Sequence, residues 1–415
     1  MPWLRSFRPG GPSLILALGV TQVFGYGALY YAFTVLAPRM IASFGWTPEW
    51  TYGGFAIGLF LGGAVAPVTG NLIDRYGTRL VMTVGSGLAG LSLLALAEAR
   101  GMVSYVLAMI VLQAVTTAVF YDAAFAALTQ ARGSQARRAI SQLTLIGGFA
   151  STLFWPLTSS LLAVLDWRGV YRLYGLAQIL VCMPLHLVFL PGRVRRPVLA
   201  AGTPAASPAP QEPEASYLTG DARRRAFLLL ALAFSLQGFV VSAMAVHMLA
   251  LLQGFGLSAA VAVGIGAMLG PSQVAGRLTE MLFGRGVSPV TTAWVSAWLM
   301  PFGLTLLLLG GGLPVIAGFF AVAFGISMGL SSIVRGTVPL QLFGPVGFGA
   351  TMGKLSAPGL VIKAAAPLAF AVALERGGVT VSTVLLIAFS ALAATALVLL
   401  ARNTRHARWW QGLMV

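Results

Sequence analysis

Long stretches without Asp, Glu, Lys or Arg divide the first half of this sequence into apolar segments. These six stretches run from Arg8 to Arg39, Glu49 to Asp74, Arg79 to Glu98, Arg100 to Asp122, Arg138 to Asp166, and Arg172 to Arg193. A helix needs about 20 mostly apolar residues to cross the hydrocarbon core of a bilayer. Each stretch therefore predicts one transmembrane helix, six in this half.

The second half repeats the pattern with longer stretches. They run from Arg225 to Arg277, Arg285 to Arg335, Lys354 to Glu375, and Arg376 to Arg402, with Lys363 set aside as lying inside a span. The first two are each long enough for two helices, with glycine-containing breaks at residues 254–256 and 310–312, and Arg335 is assigned to a loop. The sequence thus predicts an all-α integral membrane protein with twelve transmembrane helices.

Composition excludes a water-soluble fold, and the distribution of charge predicts an orientation. Hydrophobic residues make up 58% of the chain and charged residues 9%, against about 25% charged in soluble domains. The net charge of +16 would favour nucleic acid in a soluble protein, but Lys and Arg concentrate in the cytoplasmic loops of membrane proteins. With a cytoplasmic N-terminus, twenty basic residues fall inside; the five outside are Arg39, Arg100, Arg168, Arg172 and Arg376. We therefore predict a multi-pass protein of the cell inner (plasma) membrane, with both termini cytoplasmic and no nucleic-acid partner.

A segment rich in Pro, Ala and charge, residues 192–225, separates the two apolar halves. Such a composition buries too little apolar surface to fold alone, so we predict a cytoplasmic linker between six-helix bundles at residues 1–191 and 226–415. Adding 206 to Gly70, Leu72, Asp74 and Arg79 gives Gly276, Leu278, Glu280 and Arg285. This repeat predicts that pseudo-two-fold symmetry relates the bundles.

The first copy of the repeat is Gly-Asn-Leu-Ile-Asp-Arg-Tyr-Gly-Thr-Arg at residues 70–79. It resembles the signature loop of the major facilitator superfamily, GxLaDrxGrr, with matches at Gly70, Leu72, Asp74, Arg75, Gly77 and Arg79. The resemblance implies the major facilitator fold and a gate latch, in which the charged residues contact helix ends and carboxylates. The second copy departs from it, with Phe283 in place of the second glycine, and its latch residues are expected to be Glu280 and Arg285.

Ionisable residues inside spans are costly and are candidates for function. Lys363 lies in the middle of the eleventh span, and Arg277 follows Gln273 by four residues at the end of the eighth, on one helix face. Arg277 could join the latch beside Glu280 or point into the cavity and bind a carboxylate. The spacing is similar to that of monocarboxylate and oxalate/formate transporters, which implies a substrate-binding arginine on the eighth helix and a lysine on the eleventh.

Other polar and aromatic residues leave several roles open. Asp122 is expected near the cytoplasmic end of the fourth span, as a latch partner, a proton-coupling group or an interfacial cap. Gln22, Tyr26 and Tyr30 recur every four residues on the first helix, as a cavity stripe or as packing. His247 on the seventh helix is a candidate for substrate binding and proton coupling, or a satisfied core histidine.

These features favour a secondary transporter that moves a small organic anion, monocarboxylate-like, by alternating access with a proton as coupling ion. The predicted partners are a small carboxylate substrate and the lipid bilayer, and a monomer is expected. A drug or metabolite exporter of the same fold is the alternative, although the fifth helix lacks the Gly-Pro-Gly pattern typical of drug/proton antiporters. The sequence contains no HExxH, GxSxG or phosphate-binding loop, so we predict no enzyme activity, cofactor or metal.

Overall fold

The computed structural model describes residues 12–192 and 217–404, except for the side chains of Arg285, Asn403 and Thr404. Within these residues all regular structure is helical. The N-terminal half contains α1 (Pro12–Phe44), α2 (Pro48–Tyr76), α3 (Thr78–Ala97), α4 (Met102–Thr116 and Tyr121–Arg132), α5 (Arg137–Gly147 and Ala150–Leu161) and α6 (Trp167–Phe189). The C-terminal half contains α7 (Gly220–Gly254), α8 (Ala259–Phe283), α9 (Pro289–Gly310), α10 (Pro314–Phe343), α11 (residues 348–377) and α12 (residues 379–404).

Ten helical stretches of the described residues are long and apolar enough to cross a membrane, and two of them contain two spans each. The stretch of 55 residues that contains α11 and α12 breaks at Gly378, whose φ of 67° is a left-handed conformation that glycine adopts without steric cost. The stretch of 60 residues contains α4 and α5. Within this stretch, α4 itself is interrupted between its two segments, where the side-chain amide of Gln22 donates at 2.7 Å to the Val119 carbonyl. The ten apolar stretches of the described residues thus contain twelve spans, and the predicted all-α membrane fold is confirmed.

The two halves contact each other on the side of the membrane where the loop at residues 70–79 lies, here called the motif side. An apolar cluster there joins Phe125 and Ile140 of the N-terminal half to Leu340, Phe348 and Met352 of the C-terminal half. On the opposite side, each apolar cluster of the described residues draws its members from one half only. The described structure is therefore closed on the motif side.

Glycine allows α2 and α11 to approach closely on that side. A Cβ on Gly70 would meet the Gly349 carbonyl, and a Cβ on Gly353 would meet the Ala66 carbonyl. Because backbone meets backbone, neither contact could be relieved by a side-chain movement. The glycine that opens the repeated motif thus sets the distance between the halves.

Two charged residues lie deeper in the membrane than the sequence predicted. Asp122, expected near the end of the fourth span, lies in the first turn of the second segment of α4, about 15 Å along the helix from Arg132. Arg335, assigned to a loop, lies inside α10 before its end at Phe343. Both predictions of position are wrong. A charge normally marks the end of a membrane-spanning helix, but Asp122 and Arg335 lie inside their helices because they neutralise each other there.

The predicted linker, residues 192–225, lies largely outside the described residues. Residues 193–216 are not among the residues that the structure describes. On the far side of that gap α7 begins at Gly220, inside the range predicted for the linker. The division into residues 1–191 and 226–415 stays a prediction.

Candidate functional site

An ion pair between the two halves lies inside the membrane. The Asp122 carboxylate on α4 accepts hydrogen bonds from Nε and Nη2 of Arg335 on α10, at 3.0 and 2.9 Å. Ser356 on α11 donates its hydroxyl to the same carboxylate, and its oxygen accepts from Arg335 Nη2 at 2.8 Å. A guanidinium that binds a carboxylate through two N–H groups is directional and strong. These three residues therefore tie α4 to α10 and α11.

Arg277 on α8 is buried, with 6% of its surface exposed. Its Nε donates to the Ser332 hydroxyl on α10 at 3.1 Å, and its Nη2 donates to the Gln273 side-chain oxygen at 3.4 Å. Among the described residues its Nη1 has no hydrogen-bond partner, although a Cβ on Gly148 of α5 would collide with that nitrogen. The guanidinium thus reaches toward the N-terminal half and leaves the two N–H groups of Nη1 for a carboxylate.

Lys363 on α11 adds a third positive charge to this region. Its aliphatic stem lies against Gly238 of α7, and its charge interacts with those of Asp122 and Arg335. Within the described part of the chain, its ammonium group forms no ion pair. Arg335, Lys363 and Arg277 therefore bring more positive charge to the space between the halves than Asp122 neutralises.

Aromatic rings link the Asp122–Arg335 ion pair to Arg277. Tyr26 on α1 stacks on Phe120, with ring centroids 4.1 Å apart, and its centroid lies 4.8 Å from that of Tyr121. Tyr121 in turn, like Tyr31 on α1, lies close enough to Arg277 for an electrostatic interaction. The predicted cavity residue Tyr26 is thus brought close to the ion pair, and Tyr31, which the four-residue spacing missed, lies close to Arg277.

Three other predicted site residues lie in different surroundings. Tyr30 packs on Phe55, with centroids 5.7 Å apart, and Gln22 is fully buried inside its own bundle, where it bonds the break in α4. His247 Nε2 donates to the Pro367 carbonyl at 2.9 Å, a contact that stays inside the C-terminal half. Among the described residues, no hydrogen bond or ring contact joins these three to the charged side chains. Gln22 has a structural role instead, because it satisfies a carbonyl that the helix break leaves free.

The motif residue Asp74 contacts the opposite half. Its two carboxylate oxygens accept from the backbone N–H groups of Gly349 at 3.0 Å and Ala350 at 2.7 Å, in the first turn of α11. The first N–H groups of a helix have no partner within the helix, and they carry partial positive charge. Asp74 therefore caps α11 and holds the halves together on the motif side.

The other motif residues act within the N-terminal half. Arg79 donates from Nε to the Leu190 carbonyl at 2.7 Å, beyond the end of α6. Arg75 is exposed, with its guanidinium carbon 5.2 Å from the Tyr76 ring centroid. Of the three charged residues expected to form the latch, the described contacts assign the bond across the halves to Asp74.

The second copy of the motif forms a second contact between the halves. Glu280 on α8 accepts from Arg137 Nη2 at 3.2 Å and from the Ser141 hydroxyl at 2.8 Å, both in the first turns of α5. Arg137 also donates to the Gly284 carbonyl at 3.0 Å, where this copy departs from the signature. The side chain of Arg285, the other residue expected to form the second latch, lies outside the described residues. The latches are related by the repeat, but Asp74 binds backbone and Glu280 binds side chains.

Replacing Gly77 by alanine is expected to destabilise the protein by about 1–2 kcal/mol. Gly77 has φ of 87° at the turn between α2 and α3, where a Cβ introduces strain. Thermal unfolding of the purified protein, followed by a dye that reacts with the buried thiol of Cys182, measures the effect. Gly101→Ala is the control, because Gly101 has extended backbone and open space around it. Equal melting temperatures for the two variants would contradict the prediction.

The comparison with protein families decides the membership of the chain. The family model described as Major Facilitator Superfamily matches residues 18–353, which extend from α1 into the first turns of α11 and include both latches. This protein belongs to the Major Facilitator Superfamily. The expectation from the motif at residues 70–79 is thereby confirmed, and the chain is a membrane transporter of that superfamily.

Similar proteins agree with this membership. Monocarboxylate transporter 11 of Mus musculus is 30% identical over 322 residues, covering 74% of this chain and 67% of the mouse protein. The crystal structure of the human organic anion transporter MFSD10 (TETRAN) has a TM-score of 0.72 at 16% identity, covering 93% of this chain and 100% of that one. The proton:xylose symporter XylE has a TM-score of 0.68 at 12% identity, covering 92% and 95%. At such identities the two structures confirm the fold alone.

Proposed function

We propose that this protein is a secondary transporter of a small organic anion, monocarboxylate-like, and that Arg277 binds the carboxylate. The observation that carries the proposal is the buried guanidinium with a donor that no described residue satisfies. A buried donor without a partner costs roughly 1–3 kcal/mol, and more if it is charged. A substrate carboxylate would remove that cost. Similarity to a monocarboxylate transporter supports the same substrate class.

The excess of positive charge supports an anion rather than a neutral substrate. Asp122 neutralises Arg335, whereas Lys363 and Arg277 form no ion pair within the described residues. Charges inside a membrane are costly unless a partner compensates them. A carboxylate between the halves would compensate one or both cations, and Gln273 and Tyr26 would orient it.

The contacts between the halves support alternating access. In the described structure the motif side is closed by the apolar cluster and by the latches at Asp74 and Glu280. The excess of basic residues on that side supports a cytoplasmic motif side in an inner (plasma) membrane, with both termini cytoplasmic. We therefore assign the structure to the outward-facing part of the cycle.

An exporter of drugs or other metabolites is the second candidate. The aromatic rings of Tyr26, Phe120 and Tyr121 favour it, because they offer apolar surface beside the charged region. A lipophilic cation would, however, be repelled by Lys363 and Arg277, which have no ion-pair partner among the described residues. The anion is therefore the stronger proposal.

Counterflow in proteoliposomes tests the substrate class. Vesicles loaded with unlabelled lactate, oxalate or another small carboxylate are expected to take up the same labelled compound far above protein-free vesicles. Lipophilic cations added in excess should not compete with this uptake. Absence of counterflow for every small carboxylate would refute the anion proposal, and counterflow of a lipophilic cation would favour the exporter.

A further inference from the structure

A groove between α3 and α4 lies in the half of the membrane opposite the motif side. α3 begins at Thr78 beside the motif and ends at Ala97, and the groove extends along residues 88–95 of α3 and 104–111 of α4. Its volume is about 420 Å³, and ligand sites in proteins usually measure about 300–1,000 Å³. The groove is therefore large enough to hold a ligand.

The groove exists because small residues face each other where the two helices meet. On each helix the lining residues are spaced at i, i+3, i+4 and i+7, so they form one stripe. The large residues of the two stripes remain 45–58% exposed; they are Leu88, Leu91, Leu107 and Val111. The small residues leave the space between the stripes unfilled; they are Ser92, Ala95, Ser104 and Ala108. Since exposed apolar side chains of a membrane-spanning helix face lipid, the groove is open to the bilayer.

The hydroxyl groups that line the groove are already bonded to the backbone. The Ser92 hydroxyl donates to the Leu88 carbonyl at 2.8 Å, and the Ser104 hydroxyl donates to the Gly101 carbonyl at 2.9 Å. The Ser104 oxygen also accepts from the backbone N–H groups of Arg100 and Gly101, each at 3.2 Å. Because both hydroxyl protons are used, the lining offers dispersion contacts to an apolar chain rather than hydrogen bonds to a polar ligand.

A positive charge lies at the end of the groove, in the loop between α3 and α4. Arg100 is exposed, and the bond to Ser104 fixes its backbone beside the groove. Within the described residues Arg100 forms no ion pair, whereas its neighbour Glu98 is bound by Arg172 at 2.7 Å. A guanidinium binds phosphate well, and lipid phosphates lie at the membrane surface, where this loop is.

We propose that the groove binds an acyl chain of an anionic phospholipid and that Arg100 binds the phosphate of this lipid. Seven residues separate the first and last lining residues of each helix, a length of about 10 Å. One leaflet of the hydrocarbon core is about 15 Å thick, so the groove can contact most of a chain that extends from the surface. A zwitterionic lipid carries a positive charge near its phosphate and is bound less tightly by Arg100.

A second copy of the protein is a weaker candidate for the groove. Two copies in one membrane have the same orientation, so a two-fold axis lies along the membrane normal and pairs the same surface patch of each copy at the same depth. This arrangement would bring the two Arg100 side chains together, and like charges across an interface are unfavourable. An anionic lipid supplies the opposite charge instead.

Native mass spectrometry of the full chain in a mild detergent tests the proposal. The protein is titrated with phosphatidylglycerol or phosphatidylcholine that carry the same acyl chains. We expect one phosphatidylglycerol to bind with a dissociation constant about fivefold lower than that of phosphatidylcholine, because one basic residue near the membrane surface contributes about that factor. Arg100→Gln should remove the difference. Arg376→Gln, at another exposed arginine on the same side of the membrane, should keep it.

A second pair of variants tests the groove itself. Ala95→Leu places a larger side chain in the groove, and because Ala95 is exposed the change does not disturb the core. This variant should lose the bound lipid of either kind. Ala388→Leu makes the same change at an exposed position of α12 and should bind lipid as the unmodified protein does.

Four results would overturn the proposal. The unmodified protein could bind the two lipids equally, Arg100→Gln could keep the preference, or Ala95→Leu could bind phosphatidylglycerol as Ala388→Leu does. Dimers that form without lipid and that Ala95→Leu separates would assign the groove to a second copy.

Discussion

Replacing Arg277 by glutamine is expected to lower carboxylate transport at low substrate concentration by about a hundredfold or more. Loss of one partner of a buried charge pair costs roughly 2–5 kcal/mol. Glutamine retains hydrogen-bonding capacity but lacks the charge of Arg277 and its Nη1, which no described residue satisfies. The concentration dependence of initial uptake rates in proteoliposomes measures this effect, which should be largest in the half-saturation concentration.

Two further variants make the result specific. Arg277→Lys keeps the positive charge but loses the planar pair of donors, so an intermediate loss of about tenfold is expected. Arg376→Gln removes an exposed arginine on the opposite side of the membrane and should leave transport unchanged. A half-saturation concentration for Arg277→Gln equal to that of the unmodified protein would show that the carboxylate binds elsewhere.

Replacing Arg335 by glutamine is expected to destabilise the protein strongly. Removing one partner of a buried ion pair costs roughly 3–5 kcal/mol, because the other charge stays uncompensated. The Asp122 and Arg335 side chains keep 22% and 28% of their surface exposed, so we expect about 3 kcal/mol, the lower end of that range. Thermal unfolding reported by the buried Cys182 thiol measures the loss.

A double variant tests whether the cost comes from the unpaired carboxylate. Asp122→Asn combined with Arg335→Gln leaves two neutral amides of similar size, so most of the lost stability should return. Asp122→Asn alone leaves Arg335 unpaired beside Lys363 and should also be less stable than the double variant. If the double variant is as unstable as Arg335→Gln, the loss comes from packing around Arg335 and not from charge.

The transmembrane architecture could be predicted because it depends on local properties. The length of an apolar stretch decides whether a helix can cross the bilayer, and in the described residues the breaks at residues 254–256 and 310–312 fall at the ends of α7 and α9. The 206-residue repeat also predicted a real relation, because Asp74 and Glu280 each contact the first turns of a helix in the opposite half. The sequence did not predict the partners of the two latches. The repeat gives the positions of Asp74 and Glu280, but it does not indicate whether backbone or side-chain groups donate to them.

The candidate site was predicted in part. Lys363 was singled out because a charge inside an apolar stretch is conspicuous in sequence, Arg277 because it follows Gln273 by four residues at the end of the eighth span, and Tyr26 because of its spacing. Arg335 and Ser356 were missed, since an arginine at the end of a long charge-free stretch looks like a loop residue. A signal was available: Asp122 and Arg335 both limit apolar stretches and have opposite charge, as an ion pair within the membrane requires.

By itself, the sequence determined that this chain crosses a membrane twelve times in two related halves and that it carries the signature loop of a transporter superfamily. These properties follow from apolar length, from charge spacing and from a short repeated motif, all of which act over tens of residues. Only the tertiary structure decided that Asp122 meets Arg335, 213 residues away, and that Nη1 of Arg277 has no partner among the described residues. The physical reason is that a charge inside a bilayer is stable only with a partner, and the folding of both halves together determines which partner lies within reach.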